Sequence, residues 1–242
     1  MKNSVQGWGT YLQRNNHNML LLEKLIGLYA PFTCLGCHRE ENRLLCLSCR
    51  TALPLVPSRC YRCRSVTREF AVCVSCRRST SLRTVLVATH YDGIPKELLH
   101  RAKYERARSG ISEMVELMTP MLEVLPRDAL LVPVPTATSR VRQRGYDQAE
   151  LLARALSATS GLARRAVLAR LGQAHQVGAG RKERTEHLRE AFRTQHPKVI
   201  AGKHVILVDD VLTTGATLET AARILKKAGA KQVDAIVFCQ AG

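Results

Sequence analysis

From residue 84 onward the chain alternates between two hydrophobic rhythms. Short runs rich in Val, Leu and Ile predict strands: TVLVATHY (84–91), ALLVPVP (129–135), AVLAR (166–170), HVILVDD (204–210) and QVDAIVFC (232–239). Longer stretches between them predict helices: IPKELLHRAKYER (94–106), SEMVELMTPMLEVL (112–125), DQAELLARALSAT (147–159), ERTEHLREAF (183–192) and TLETAARILKKAG (217–229). The last places Leu218, Ala221, Ala222 and Leu225 on one helical face and stops at Gly229. Strands alternating with helices predict an α/β domain, a parallel sheet flanked by helices. Such sheets bind ligands beyond the carboxyl ends of their strands.

The rhythm is different before residue 80. Eight of the nine cysteines fall in four C-x₂-C pairs, CLGC (34–37), CLSC (46–49), CYRC (60–63) and CVSC (73–76). A two-residue spacer lets both sulfurs of a pair reach one tetrahedral ion, and two pairs complete a Cys₄ zinc site. Four pairs therefore predict two structural zinc ions. Sequential pairing puts Cys34, Cys37, Cys46 and Cys49 on one ion and Cys60, Cys63, Cys73 and Cys76 on the other; crossed pairing is the alternative. Disulfides are the competing reading, and a reducing compartment disfavours them. These patterns divide the chain into an N-terminal extension with a short helix (1–30), a double zinc ribbon (31–79) and the α/β domain (80–242). Cys239 stands apart in an apolar run and is expected to be buried.

The 242 residues carry a net charge of +17, and arginines flank the knuckles at 50, 59, 62, 64, 77 and 78. That surplus points to a polyanionic partner such as nucleic acid or a phosphorylated substrate, with a solvated basic surface as the plain alternative. The apolar stretch MLLLEKLIGLYA (19–30) is interrupted by Glu23 and Lys24 and is too short to span a bilayer. No membrane span and no export signal are recognised, so a cytoplasmic location is expected.

The run VILVDDVLTTGAT (205–217) sets two adjacent acids at the end of an apolar strand. Neighbouring carboxylates repel, and burying them is unfavourable without a compensating ligand or ion. Thr213, Thr214, Gly215, Ala216 and Thr217 then turn into a helix, whose first N–H groups and partial positive charge suit a phosphate. Asp209 and Asp210 suit ribose hydroxyls, or a Mg²⁺ ion that the substrate brings. Together they describe a site for a phosphoribosyl group.

These residues resemble the PRPP-binding signature of type I phosphoribosyltransferases. A second stretch, VPVPTATSRVRQRGYDQAELLARAL (132–156), is similar to the ComF/GntX family, in which a zinc ribbon precedes such a domain. Arg140, Arg142, Arg144, Gly145, Tyr146 and Gln148 match its spaced arginines and R-G-[FY]-N-Q element, while Asp147 stands where Asn is usual. QVGAGRKERTEHLREAF (176–192) and LLHRAKYERAR (98–108) match two further elements, with His187 in place of the usual Asn. The resemblance implies that Asp209 and Asp210 address the ribose hydroxyls and that residues 213–217 hold the 5′-phosphate. The arginines alternate, so an extended segment would aim Arg140, Arg142 and Arg144 one way, toward a diphosphate or a nucleic-acid backbone. Lys103, Arg181 and Arg184 are further candidates to close over a diphosphate.

What the resemblance implies is a protein that binds Mg·PRPP or another phosphoribosyl ligand, with a role in natural transformation or in the use of external DNA. DNA-uptake proteins and single-stranded DNA are then the implied partners. Two alternatives stand beside it. One is a non-catalytic module that binds single-stranded DNA or a protein on a phosphoribosyltransferase scaffold. The other is a nucleobase salvage enzyme, which the zinc ribbon does not suit. No aromatic-rich loop marks an acceptor base.

Overall fold

The structure, a computed structural model, describes residues 32–104, 107–171 and 192–241. The predicted helix over 19–30, most of the one over 183–192, and Arg181, Arg184, His175 and His187 lie outside them. The chain divides into two compact units, Met1–Ala52 and Leu53–Gly242.

The first unit is small. Strands β1 (Phe32–Thr33) and β2 (Glu40–Glu41) pair antiparallel, and helix α1 (Leu47–Thr51) follows. Among its described residues, Cys34, Leu44, Leu45 and Cys46 are the buried apolar ones, and a metal on its four cysteines would add folding energy to them.

The second unit opens on the other two knuckles and a one-turn helix, α2 (Val74–Arg77). It continues through β3 (Val85–His90), α3 (Gly93–Tyr104) and α4 (Ala107–Met118) to β4 (Leu130–Pro133). Then come α5 (Thr138–Arg144), α6 (Gln148–Ser160), β5 (Ala163–Arg164), β6 (Leu168–Arg170) and β7 (Phe192–Thr194). The chain closes with β8 (His204–Leu212), α7 (Ala216–Lys227) and β9 (Gln232–Gln240). Five strands form one parallel sheet in the order β3-β9-β8-β4-β5, and β6 pairs antiparallel with β7.

The order explains the composition. β8 lies at the centre, and Val205, Ile206, Leu207 and Val208 are fully buried, as a strand covered on both faces requires. Its register on β4 pairs Leu207 with Val132, and on β9 it pairs Asp209 with Val237. Helix α6 packs on β8 and β4 through Ala149, Leu152, Ala153 and Leu156. Asp147 caps its start by accepting from the N–H groups of Ala149 and Glu150, and Gly161 ends it at φ 75°. Helix α7 buries Leu218, Ala221, Ala222 and Leu225, the face predicted from spacing.

The knuckle segment is continuous with this core. Cys60, Tyr61, Val72 and Leu82 belong to the same buried cluster as Val205, Leu207 and Leu225. The Val72 N–H donates to the Arg83 carbonyl, and Ala71 bridges to Thr84, just before β3. The boundary at 79/80, drawn on sequence character between the double zinc ribbon and the α/β domain, stands as a proposal.

One expectation changes. The segment with Arg140, Arg142 and Arg144 is helix α5 rather than an extended strand. A helix puts Arg140 and Arg144 on one side, four residues apart, and turns Arg142 away. Gly145, at φ 80°, ends it.

Leu152 is fully buried between α6 and the sheet. Leu152→Ala should lower stability by about 3 kcal/mol, read as a shift of the urea midpoint with unchanged slope.

Candidate functional site

The site forms where β8 and β4 end. Asp209 and Asp210 are the sixth and seventh residues of β8, so their side chains leave opposite faces. The Asp210 N–H donates to Asp209 Oδ1 at 2.9 Å. Burial pushes the Asp209 carboxyl well above the usual carboxylate range, and the charges of Asp210 and Asp147 push it further. Asp147 is where the family usually carries neutral Asn, so this chain adds a third charge near the pair. Asp147 also accepts from the Thr136 N–H and hydroxyl, which ties the loop after β4 to the start of α6.

Lys103 lies 2.9 Å from Asp210 Oδ2, with both side chains about one-fifth exposed. It is placed there by the end of α3. A Cβ on Gly110 would stand 2.6 Å from Ala102, so the glycine lets α4 pack closely against α3. The Tyr146 hydroxyl donates to the Ala102 carbonyl. Tyr104, the residue after Lys103, carries the Arg144 guanidinium over its ring at 5.4 Å. The structure thus strings Arg144, Tyr104, Lys103 and Asp210 together. Arg140 is exposed on α5. Arg144 Nε is buried without a hydrogen-bond acceptor among the described residues. A buried donor of this kind fits an anion that brings its own oxygens.

After Leu212 the chain turns into α7. Thr213, Thr214, Ala216 and Thr217 are exposed, whereas Gly215 is buried. Gly215 sits at φ 77°, and no side chain caps the helix start. The Ala216 N–H reaches only the Thr214 hydroxyl, at 3.4 Å. First-turn N–H groups have no acceptor within their own helix. This arrangement is what a phosphate needs.

The cysteines gather as two groups, Cys34, Cys37, Cys46, Cys49 and Cys60, Cys63, Cys73, Cys76, with all sulfurs of a group within 4.8 Å of one another. This is the sequential pairing. Four sulfurs about 2.3 Å from one tetrahedral ion lie about 3.8 Å apart. Cys37 and Cys46 stand 3.9 Å apart, and Cys63 and Cys73 3.5 Å. Thiolate character is built in. Burial raises Cys34, but the N–H groups of Cys46, Cys37 and Gly36 outweigh it and lower the thiol to about 6. The Ser65 hydroxyl and N–H bring Cys63 to about 6. Cys49 and Cys76 are pushed up to about 12, chiefly by Cys46 and Cys73 respectively, as expected when several thiolates share a space that a cation would neutralise. Both groups fit zinc. Cys239 is buried, and burial raises its thiol to about 12.

The sequence did not point to Tyr61, Thr80 or Glu219, which meet beside the turn at 213–217. Tyr104 was quoted without a role. Only the aromatic inside the second-cluster knuckle CYRC hinted at any of them.

Two outcomes follow. Zinc analysis should find about two ions per chain, and Cys63→Ser should remove one. Asp209→Asn should raise Tm at pH 7.5 by about 2–5 °C in the absence of ligand. A carboxyl whose folded-state pKa is raised weakens the fold above that pKa and regains stability as pH falls through it. The gain from Asn should therefore shrink toward pH 4.5.

Comparison with known proteins agrees with this geometry. Residues 119–242 match the phosphoribosyl transferase domain family. Competence protein ComFC of Bacillus subtilis is 32% identical over 206 residues, 78% of this chain and 81% of that protein. Competence protein F of Haemophilus influenzae is 28% identical, covering 84% and 94%. DNA utilization protein YhgH of Escherichia coli is 27% identical, covering 81% and 90%. No described helix is long and apolar enough to cross a membrane. A domain match over half the chain, with relatives aligned along most of their length, leads to one assignment: this chain belongs to the ComF family and carries its phosphoribosyltransferase domain.

Proposed function

We propose that the protein binds Mg·PRPP, or a closely related phosphoribosyl ligand, and serves DNA uptake or the use of external DNA. The observation that carries the reading is the half-buried acid pair near the end of the central strand, beside an uncapped helix start. Asp209 and Asp210 would receive the ribose hydroxyls, whose donated hydrogen bonds would offset the burial and the Asp210 charge that raise Asp209. Residues 213–217 would hold the 5′-phosphate. Lys103 and Arg144 would meet the diphosphate, and the ion pair of Lys103 with Asp210 would give way when the sugar arrives. Magnesium suits the set because carboxylate and diphosphate oxygens are the donors it takes, and it would neutralise the diphosphate as a leaving group. Arg140 and Arg181 remain proposed contacts to the same group. The names of the relatives, competence and DNA utilisation, direct the role toward DNA rather than nucleobase salvage.

A second reading has its own observation. Arg59, Arg62, Arg68, Arg77 and Arg78 are exposed on the second knuckle segment. Such a cluster suits the phosphates of single-stranded DNA, which fits a protein of the cytoplasm that handles incoming strands. Binding should weaken steeply with salt, and Arg77→Ala with Arg78→Ala should lower the salt slope by about 1–2.

Calorimetric titration tests the main reading. Wild-type protein should bind Mg·PRPP, and Asp210→Asn should weaken binding by about tenfold or more. Arg144→Ala should weaken PRPP more than ribose 5-phosphate. A folded wild type that takes up no PRPP contradicts the proposal.

A further inference from the structure

The turn at 213–217 leans on the second cysteine cluster. Tyr61 lies between Cys60 and Cys63, two of that cluster's four ligands, and only 6% of it is exposed. Its ring closes against Gly215 so tightly that a Cβ there would stand 2.6 Å from Cε2 and 2.8 Å from Cδ2. Its hydroxyl is 2.7 Å from Thr80 Oγ1 and 3.2 Å from Glu219 Oε2. The Thr80 hydroxyl donates to that same Oε2, and the Ser81 N–H donates to Oε1 at 2.8 Å. Glu219 returns to the turn through its own N–H, which donates to the Gly215 carbonyl at 2.9 Å. Leu212 and Leu218, on either side of the turn, share a core cluster with Cys60 and Tyr61.

Residues 61, 80 and 81 therefore grip both ends of the segment 215–219, across about 140–160 positions of sequence. The grip depends on where the Tyr61 backbone lies. That backbone is flanked by two of the four sulfurs that one ion would draw together, all four lying within 4.8 Å of one another. The segment it holds presents the α7 N–H groups. The ring also fills the only side of Gly215 on which a side chain would grow, so the positive φ and the contact with Tyr61 require glycine together.

We propose that Tyr61 is a positioning residue through which a metal ion on Cys60, Cys63, Cys73 and Cys76 and a phosphorylated ligand on residues 213–217 stabilise each other. The ligand half of this link rests on the phosphoribosyl reading above; the metal half does not. Coupling of this kind is reciprocal. Metal loss from the second cluster loosens the phosphate turn, and a bound phosphate retards metal loss. The second knuckle pair then acts as a gate on the site, making ligand binding conditional on metal.

Zinc release from the full-length, zinc-loaded protein to a chromogenic chelator tests it, with the second-cluster phase identified as the one that Cys63→Ser removes. Tyr61→Ala and Glu219→Gln should each speed that phase about fivefold or more, and Tyr61→Phe, which keeps the ring against Gly215, should do so far less. Glu219 lies far along the chain from every zinc ligand, so a role confined to helix α7 would leave zinc release unmoved. Hydrogen exchange should quicken at 215–219 in the same variants and stay unchanged at 233–238. In wild type, ribose 5-phosphate should slow the second-cluster phase about fivefold, and Tyr61→Ala should abolish that effect. Release and exchange that do not respond to Tyr61→Ala or Glu219→Gln would overturn the inference. So would ribose 5-phosphate that binds by calorimetry yet leaves release unchanged. A wild type that binds no ribose 5-phosphate sinks the phosphoribosyl reading instead, and the ligand-free variants still decide the link.

Discussion

Two adjacent carboxylates that follow the buried run Val205–Val208 of the central strand form the constraint around which the rest of the molecule is arranged. Burial and mutual repulsion drive Asp209 toward its protonated form, and Asp147 adds to the strain. Asp147 has a stabilising role as the cap of α6, but a sequence selected only for stability would not keep the adjacent pair Asp209 and Asp210 there. The surroundings manage the charge without removing it. Lys103 pairs with Asp210, and the close packing of Gly110 on Ala102 together with the Tyr146 bond sets where Lys103 stands. The helices before and after β4 thus serve one purpose, bringing cations to the rim of a strand that ends in acids. Opposite charges gathered at one strand end, next to exposed N–H groups, match a ligand with sugar hydroxyls at one end and phosphates at the other.

The second pair of knuckles bears on the same region. A small metal module is often a separate attachment, yet here Cys60, Tyr61 and Val72 enter the buried cluster that contains the central strand. Tyr61 is the point of contact, and it uses both of its characters. The ring packs on glycine, and the hydroxyl enters a polar group with Thr80 and Glu219. The two oxygens of Glu219 are both satisfied in this half-buried place, one by the Ser81 N–H and the other by the Thr80 and Tyr61 hydroxyls.

Much of this was legible in the sequence. The apolar run 205–208 could only be a strand covered on both faces, and the spacing of Leu218, Ala221, Ala222 and Leu225 set the buried face of α7. The C-x₂-C spacing announced the two four-cysteine groups, and the acids before a Thr/Gly turn announced the strand end and helix start on which the proposed phosphoribosyl site rests. The arginine segment was misjudged for a physical reason. TSRVRQR has a single apolar residue, so no hydrophobic period reveals a helix, and alternation of charge looks like a strand. Gly145 at its end was the available clue. The Lys103–Asp210 pair and the Tyr61–Glu219 contact join residues more than a hundred positions apart, and no local pattern encodes such a meeting. Asp147 looked like a departure from the family motif, and only the fold shows that it caps α6 while placing charge near Asp209.

The most direct test of the central claim is phosphorus NMR of Mg·PRPP with the protein, because it distinguishes the 5′-phosphate from the two diphosphate phosphorus atoms. The account predicts that the 5′-phosphate resonance shifts or broadens with wild type, through the turn at 213–217, along with the diphosphate signals. Diphosphate signals that change alone would mean that a basic surface attracts the ligand with the turn taking no part, and the acid pair would then need another explanation.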